Sequence, residues 1–199
     1  MDLEAQKEET DAIPVIKVVK RQKSADFSKG ARLEEIQLRT NAVQIVFEHT
    51  YSRADNTLFA VTKQLRRQGR IAAAKAMEKT LTEMFDTFSS ELSEALEAVR
   101  KTFEEQVPAS KRNIVYNHVR TLSVPASSGY ASRLINITLQ LDTLASTIDG
   151  LEINNVLSPD LADQTTQSWI KRYRRFTSAI QALRAAESKK NSDSSVQTK

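Results

Sequence analysis

The 199-residue chain contains no cysteine, only four glycines and four prolines, and no apolar run close to the length of a membrane span. The missing cysteines exclude disulfides and thiolate metal sites, and they are typical of a cytoplasmic protein. Scarce Gly and Pro, together with abundant Ala, Leu, Glu, Lys and Arg, favour a mainly α-helical fold. A membrane helix needs about 20 apolar residues, and the N-terminus lacks the apolar core of a secretion signal. We therefore predict no membrane partner.

Recognisable enzyme motifs are also missing from the sequence. It has no glycine-rich phosphate loop, no serine-hydrolase motif and no zinc-protease motif. His49 and His118 have no acidic or cysteine partner at a recognisable spacing, and Glu48 does not face the adjacent His49 on a helix. We therefore predict that the protein is not an enzyme, and that it has no catalytic residue, bound metal or cofactor.

The modest net charge of +4 hides an uneven distribution of charged side chains. Residues 1–11 are acidic, and the following stretch to residue 32 is strongly basic. Clustered positive charge is the footprint of a polyanion-binding protein. We predict that residues 1–30 form a flexible basic arm that becomes ordered on DNA. The predicted phosphate contacts in and beside it are Lys17, Lys20, Arg21, Lys23, Lys29 and Arg32.

The segment RLEEIQLRTN, residues 32–41, alternates between polar and apolar side chains. This period of two predicts a half-buried strand, with Leu33, Ile36 and Leu38 mostly on one face. The other face carries three candidate base-reading residues, Glu35, Gln37 and Arg39. Gln and Arg hydrogen-bond to adenine and guanine in the major groove, and Glu accepts from cytosine. The alternatives are a solvated strand face or the first turn of a long helix.

Helical spacing begins directly after this strand. Thr40 or Asn41 can cap a first helix, and Asp55 or Asn56 a second one that ends at Gly69. The result is a strand, a helix, a turn and a helix, although one uninterrupted helix over residues 41–68 is the alternative. Backbone N–H groups at the start of a helix bind phosphate. Further phosphate contacts are therefore predicted at Thr40, Asn56 and Thr57.

Residues 70–188 are predicted to be a helical extension. Its first helix has an acidic outer face and ends before Pro108, and a strand or two are predicted within residues 115–124. The last helix opens at Ser158-Pro159, and its aromatic stripe of Trp169, Tyr173 and Phe176 is predicted to be core. The tail, residues 189–199, lacks a folding pattern and is predicted to be disordered.

A lone strand leaves its backbone groups unpaired. Pairing with the same strand of a second chain gives a ribbon that two helices cover, which is the ribbon-helix-helix architecture of the Arc and MetJ class. We therefore predict a mainly α fold, with residues 31–69 as the ribbon-helix-helix region for DNA binding and homodimerisation. The expected partner is double-stranded DNA with a palindromic operator.

A closer resemblance covers residues 32–185. The order of the segments is similar to the AcaB-type family of integrating conjugative elements and conjugative plasmids. They are QLRTNAVQIVFEH, NTLFAVTKQLRRQG, AMEKTLTEMFDTFSSELSEALEAV, SVPASSGYASRLINITLQLDTLAS and WIKRYRRFTSAIQAL. The resemblance implies a dimeric ribbon-helix-helix activator of conjugative-transfer genes, for which the acidic face of residues 83–105 is a candidate surface for RNA polymerase. The alternative function is a helical scaffold protein of a conjugation or phage apparatus.

Overall fold

The computed structural model describes residues 30–196, with side chains as far as residue 186. The predicted arm residues Lys17, Lys20, Arg21, Lys23 and Lys29 lie outside the described residues. The chain forms, in order, β1 (Arg32–Leu38), α1 (Asn41–Phe59), a π-helical turn (Ala60–Gln64), α2 (Leu65–Arg67), α3 (Ile71–Gln106), a 3-10 turn (Ala109–Lys111), β2 (Arg120–Ala126), α4 (Gly129–Ile153) and α5 (Pro159–Val196). The coarse prediction of a mainly α fold with a short N-terminal strand is confirmed. Helix α5 continues to Val196, into the tail that the sequence predicts to be disordered.

Strand β1 has a partner within its own chain. It pairs antiparallel with β2, so that Arg32 lies opposite Ala126 and Leu38 opposite Arg120. The premise that β1 would be unpaired without a second chain is therefore wrong, because β2 occupies one of its edges. The strand predicted within residues 115–124 supplies most of this partner. We call the β1–β2 pair the ribbon.

The predicted helix break at residues 52–56 is wrong, and the alternative of one uninterrupted helix is right. Helix α1, the π-helical turn and α2 follow one another without a gap from Asn41 to Arg67. Asp55 does not cap a helix, because its buried carboxylate accepts hydrogen bonds from the backbone N–H and the hydroxyl of Ser127. The predicted stop at Gly69 is confirmed by its φ of 75°, a left-handed conformation that glycine adopts readily.

The helices enclose one hydrophobic core, in which α1 packs against α5 and α3 against α4. Apolar residues recur at helical spacing along α4, and each of them is buried: Leu134, Ile137, Leu141, Leu144, Ile148 and Leu151. The aromatic stripe Trp169, Tyr173 and Phe176 is likewise buried, as predicted. Ile36 and Leu38 of β1 join the same core, which fixes the ribbon on the helices. No helix within residues 30–196 is long and apolar enough to cross a membrane.

Candidate nucleic-acid interface

The three predicted base-reading residues are exposed. Glu35 and Gln37 alternate with the buried residues of β1, and Arg39 directly follows the strand. The alternate residues Ile36 and Leu38 are buried, as the period of two predicts. Leu33 is an exception to the prediction. It lies two residues before Glu35 and therefore on the same side of the strand, and 68% of its surface is exposed.

Strand β2 adds further polar side chains to this face. Ser123 lies opposite Glu35, and Thr121 lies opposite Gln37. Cross-strand partners point to the same side of a sheet, so these hydroxyls stand beside the predicted reading residues. We call the set Glu35, Gln37, Arg39, Thr121 and Ser123 the outer face. The sequence contained a signal for the two β2 members, since polar and apolar residues alternate from Thr121 to Val124.

A buried carboxylate holds the chain in place where β1 leads into α1. Asp142 of α4 accepts hydrogen bonds from the backbone N–H of Arg39 at 3.0 Å and from the N–H and hydroxyl of Thr40 at 2.9 and 2.8 Å. Thr40 is the N-cap residue of α1, as predicted, but its side chain makes no capping bond to the helix. Its hydroxyl is buried and already bonded to Asp142. The structure therefore gives no support to the predicted phosphate contact of Thr40.

The other two residues that were predicted to contact phosphate from a helix start do not lie at one. Asn56 and Thr57 lie inside α1, and the hydroxyl of the buried Thr57 donates to the carbonyl of Arg53 at 3.1 Å. Backbone N–H groups in the middle of a helix are bonded within the helix. The helix-start position on which this prediction of a phosphate contact rests is therefore wrong.

Arg32, a predicted phosphate contact, forms a salt bridge with a carboxylate of its own strand. Its guanidinium lies 2.7 Å from Glu34, which also accepts a hydrogen bond from Ser132 at 2.6 Å. The bond from Ser132 and then the contacts of Arg32 hold the pKa of Glu34 below its ordinary value, although burial opposes them. Because the Arg32 side chain is largely exposed, its pair with Glu34 is a weak surface pair that does not block an incoming phosphate.

Long-range polar contacts also position the other end of the ribbon. The Gln44 amide of α1 donates to the carbonyls of Leu38 and His118 at 2.9 and 3.0 Å. Arg120, the first residue of β2, forms a salt bridge with Glu48. Helix α1 thereby holds the end of β1 and the start of β2 together, which sets the register of the outer face.

Every member of the predicted acidic face of α3 is exposed: Glu83, Asp86, Glu91, Glu94, Glu97, Glu104 and Glu105. Part of it is neutralised, because Arg172 of α5 pairs with Glu91 and Arg133 of α4 pairs with Asp86. The Arg172 guanidinium also stacks 4.1 Å from the centre of the Trp169 ring. Arg172 thus links the basic side of α5 to the acidic face of α3.

His49 and His118, the two histidines, are exposed. Within residues 30–196 there is no group of three or more His, Asp or Glu side chains that could hold a metal ion.

Comparison with protein-family models finds no match to the chain, and comparison with curated proteins finds none. Among solved structures, the fold is similar to "Crystal structure of selenomethionine-containing AcaB from uropathogenic E. coli". The TM-score is 0.72, the match covers 85% of this chain and 89% of that chain, and the sequences are 20% identical. This likeness establishes an AcaB-like fold.

Proposed function

We propose that the protein is a sequence-specific DNA-binding transcriptional regulator that reads the major groove with the outer face of its ribbon. The observation that carries this proposal is the outer face itself. Glu35, Gln37 and Arg39 stand exposed beside the hydroxyls of Thr121 and Ser123, over a buried apolar face. Gln and Arg are the residue types that form paired hydrogen bonds with adenine and guanine.

The dimensions and chemistry of the major groove fit this face. The groove admits a two-stranded ribbon, and each bidentate contact from Gln to adenine or from Arg to guanine contributes roughly 1–3 kcal/mol of discrimination. Arg39 makes no salt bridge with any residue that the structure describes. Its guanidinium is therefore available to a base or a phosphate.

The proposal includes a homodimer formed along β1. Strand β2 occupies one edge of β1, and no other strand within residues 30–196 pairs with its second edge. An unpaired edge is a template for strand addition. Antiparallel pairing of β1 with β1 of a second copy would give a four-stranded sheet about a twofold axis, in which the two central β1 strands form the two-stranded unit that enters the groove. Such a dimer would bind a palindromic operator.

The regulatory output is activation of conjugative-transfer genes. This step is supported by the segment-by-segment resemblance to the AcaB-type family and by the AcaB-like fold. For contact with RNA polymerase, Glu94 and Glu97 of α3 are exposed and have no salt bridge in the described part of the chain. They are the members of the acidic face that we propose for this contact.

The test begins with selection of binding sites from a random double-stranded DNA library, followed by titration at several salt concentrations. Gln37→Ala with Arg39→Ala removes the two main reading groups. The control is Gln167→Ala with Arg174→Ala, which deletes the same two residue types from exposed positions of α5. We expect the selected sequence to bind wild type and control alike, and the ribbon double mutant to lose its preference for that sequence.

The same titration decides between the proposal and its alternative. Weak binding that ignores both the DNA sequence and the ribbon substitutions would contradict DNA readout. That result would favour a helical scaffold protein, whose partners would then be sought by crosslinking.

A further inference from the structure

A polar cavity of about 390 Å³ opens beside the outer face. Its walls come from the C-terminal part of α3, from the segment between α3 and β2, and from the middle of α4. Arg39, Arg100 and Arg112 line it from separate parts of the chain. We call this cavity the arginine pocket. Its volume lies near the lower end of the range for small-molecule sites, which is about 300–1,000 Å³.

Cationic side chains outnumber carboxylates in the pocket lining, and two further carboxylates lie behind it, Asp142 bonded to the N–H of Arg39 and Asp149 bonded to Tyr116. Three arginines line it against one carboxylate, that of Glu104. Neither Arg39 nor Arg100 makes a salt bridge with the residues that the structure describes. Gathering like charges costs free energy unless an anion is present, so the arrangement favours a negatively charged occupant.

One of the three guanidiniums is fixed in place. Arg112 donates through Nε to the carbonyl of Val107 at 2.8 Å and through Nη2 to the carbonyl of Glu104. These bonds cap the C-terminal end of α3 and leave further N–H groups of Arg112 unused. The pocket therefore has one preoriented donor group, which lowers the entropic cost of binding an anion.

The remaining wall suits the organic part of a ligand. Phe103 and Ile114 are half-buried and line the pocket. Both pack over Gly150 of α4, where a Cβ atom would lie 2.7 Å from the Phe103 ring and 2.5 Å from the end of Ile114. The absence of a side chain at residue 150 allows these apolar groups to form the wall.

We propose that the arginine pocket binds a small phosphorylated molecule, of about the size of a nucleoside monophosphate. A phosphomonoester carries close to two negative charges and has three acceptor oxygens, so it can bond to more than one guanidinium. Arginine matches phosphate geometry better than lysine does, because its planar fork forms paired hydrogen bonds. Phe103 and Ile114 would contact the organic group.

The shared residue Arg39 gives the pocket a regulatory consequence, which rests on the function proposed above. A guanidinium that holds a phosphorylated ligand is no longer free to contact a base. Bound ligand should therefore compete with operator DNA, and each should weaken the binding of the other by the same factor.

Calorimetric titration without DNA tests the site by itself. The probes are adenosine monophosphate, inorganic phosphate and adenosine, added to the full chain. We expect adenosine monophosphate to bind more tightly than phosphate, and adenosine not to bind. Arg100→Glu should weaken the phosphate-dependent binding about tenfold or more, and Arg100→Gln by less. Arg174→Glu, an exposed charge reversal on α5, should leave binding unchanged.

Each remaining result has a defined meaning. No binding of either phosphate compound, or equal binding by wild type and Arg100→Glu, would overturn the pocket. If neither compound binds and Arg100→Glu instead weakens every DNA sequence, the arginines are contacts to the DNA backbone, and the effector proposal fails while DNA binding stands. Phosphate-dependent binding in a protein that shows no DNA readout would support the pocket and contradict the proposed function.

Discussion

The carboxylate of Asp142 caps the N-terminal end of α1 by accepting hydrogen bonds from both the backbone N–H and the hydroxyl of Thr40. The two residues are 102 positions apart, and the same carboxylate also accepts from the N–H of Arg39. The hydroxyl of an N-cap threonine usually accepts from an N–H of the first helical turn, whereas the hydroxyl of Thr40 donates to Asp142. In this protein α4 supplies the acceptor, so the position of Arg39 depends on the packing of α4.

Asp142→Ala should therefore destabilise the fold. It leaves three donors without an acceptor, and each buried unsatisfied donor costs about 1–3 kcal/mol. Because the N–H of Arg39 is near solvent, we expect a loss of about 3 kcal/mol in the free energy of unfolding. Urea unfolding followed by circular dichroism measures it. Asp142→Asn, which keeps one acceptor oxygen, should lose less, and the exposed Asp163→Ala should change stability by about 0.5 kcal/mol or less. Equal stability of Asp142→Ala and Asp163→Ala would contradict the capping role.

Two basic residues should differ in how their removal affects DNA binding. Arg39→Ala removes a base contact, so it should lower affinity for the selected operator and relax the preference at one base pair. Lys20→Ala removes a contact to phosphate from the predicted arm, so it should weaken all sequences alike and reduce the salt slope by about 1. Titrations on the operator and on a scrambled duplex, across a salt series, separate the two effects. Equal losses on both duplexes for Arg39→Ala would argue against base readout.

The absence of cysteine makes the proposed dimer easy to test, because a single engineered thiol reports on one site only. If β1 pairs with β1 of a second copy, residues at the twofold axis face each other at about 4.5–5.5 Å between Cα atoms, within the range for a disulfide. Separate variants Leu33→Cys, Glu35→Cys and Gln37→Cys should include one that crosslinks rapidly under mild oxidation. The matched control is Ser123→Cys, which lies opposite Glu35 on β2 and would be several strand spacings from its symmetry mate. Equally rapid crosslinking of the control, or a monomer in sedimentation, would refute pairing through β1.

Charge reversal on α3 should separate transcriptional activation from DNA binding. Glu94→Lys with Glu97→Lys places two positive charges on the acidic face. We expect transcription from an operator-driven reporter to be lost while operator affinity in vitro is unchanged. Glu94→Gln with Glu97→Gln serves as the milder control and should lose less activity. A matching loss of DNA binding would exclude a separate polymerase contact.

Asp149 should make the stability of the protein depend on pH. Burial raises the pKa of its carboxyl, and this outweighs the opposing hydrogen bond from Tyr116, which is 3.0 Å long. Because the pKa is higher in the folded than in the unfolded chain, ionised Asp149 destabilises the fold at neutral pH. That penalty is relieved as the pH falls through the raised pKa towards the ordinary value of 3.8.

Asp149→Asn should consequently raise the free energy of unfolding at neutral pH, with a difference that shrinks in acid. Asparagine keeps an oxygen that can accept from Tyr116. Tyr116→Phe removes the bond that lowers the pKa, so it should increase the pH dependence. Urea unfolding between neutral pH and about pH 4 gives the comparison. Parallel pH profiles for wild type and Asp149→Asn would show that the carboxyl does not titrate as described.

Local sequence patterns correctly predicted which side chains of the strand and the helices are exposed or buried. The alternation around Ile36 and Leu38 correctly placed Glu35, Gln37 and Arg39 on the exposed face, and helical spacing correctly identified the buried positions of α4. Long-range contacts were beyond such patterns. Asp55 has the chemistry of a helix cap, yet Ser127 uses its carboxylate in the middle of a helix. No spacing in the sequence shows that Arg39, Arg100 and Arg112 share a pocket, because three separate elements bring them together.

The pairing of β1 with β2 also determines when the ribbon can form during synthesis. Residues 32–38 leave the ribosome early, but their partners are residues 120–126. Until that second segment emerges, the growing chain carries an amphipathic strand without its partner, and such an unpaired strand can misassemble with other nascent chains. A fragment that stops at residue 69 lacks β2 altogether. The proposed DNA-binding surface is therefore a late product of translation that needs most of the polypeptide.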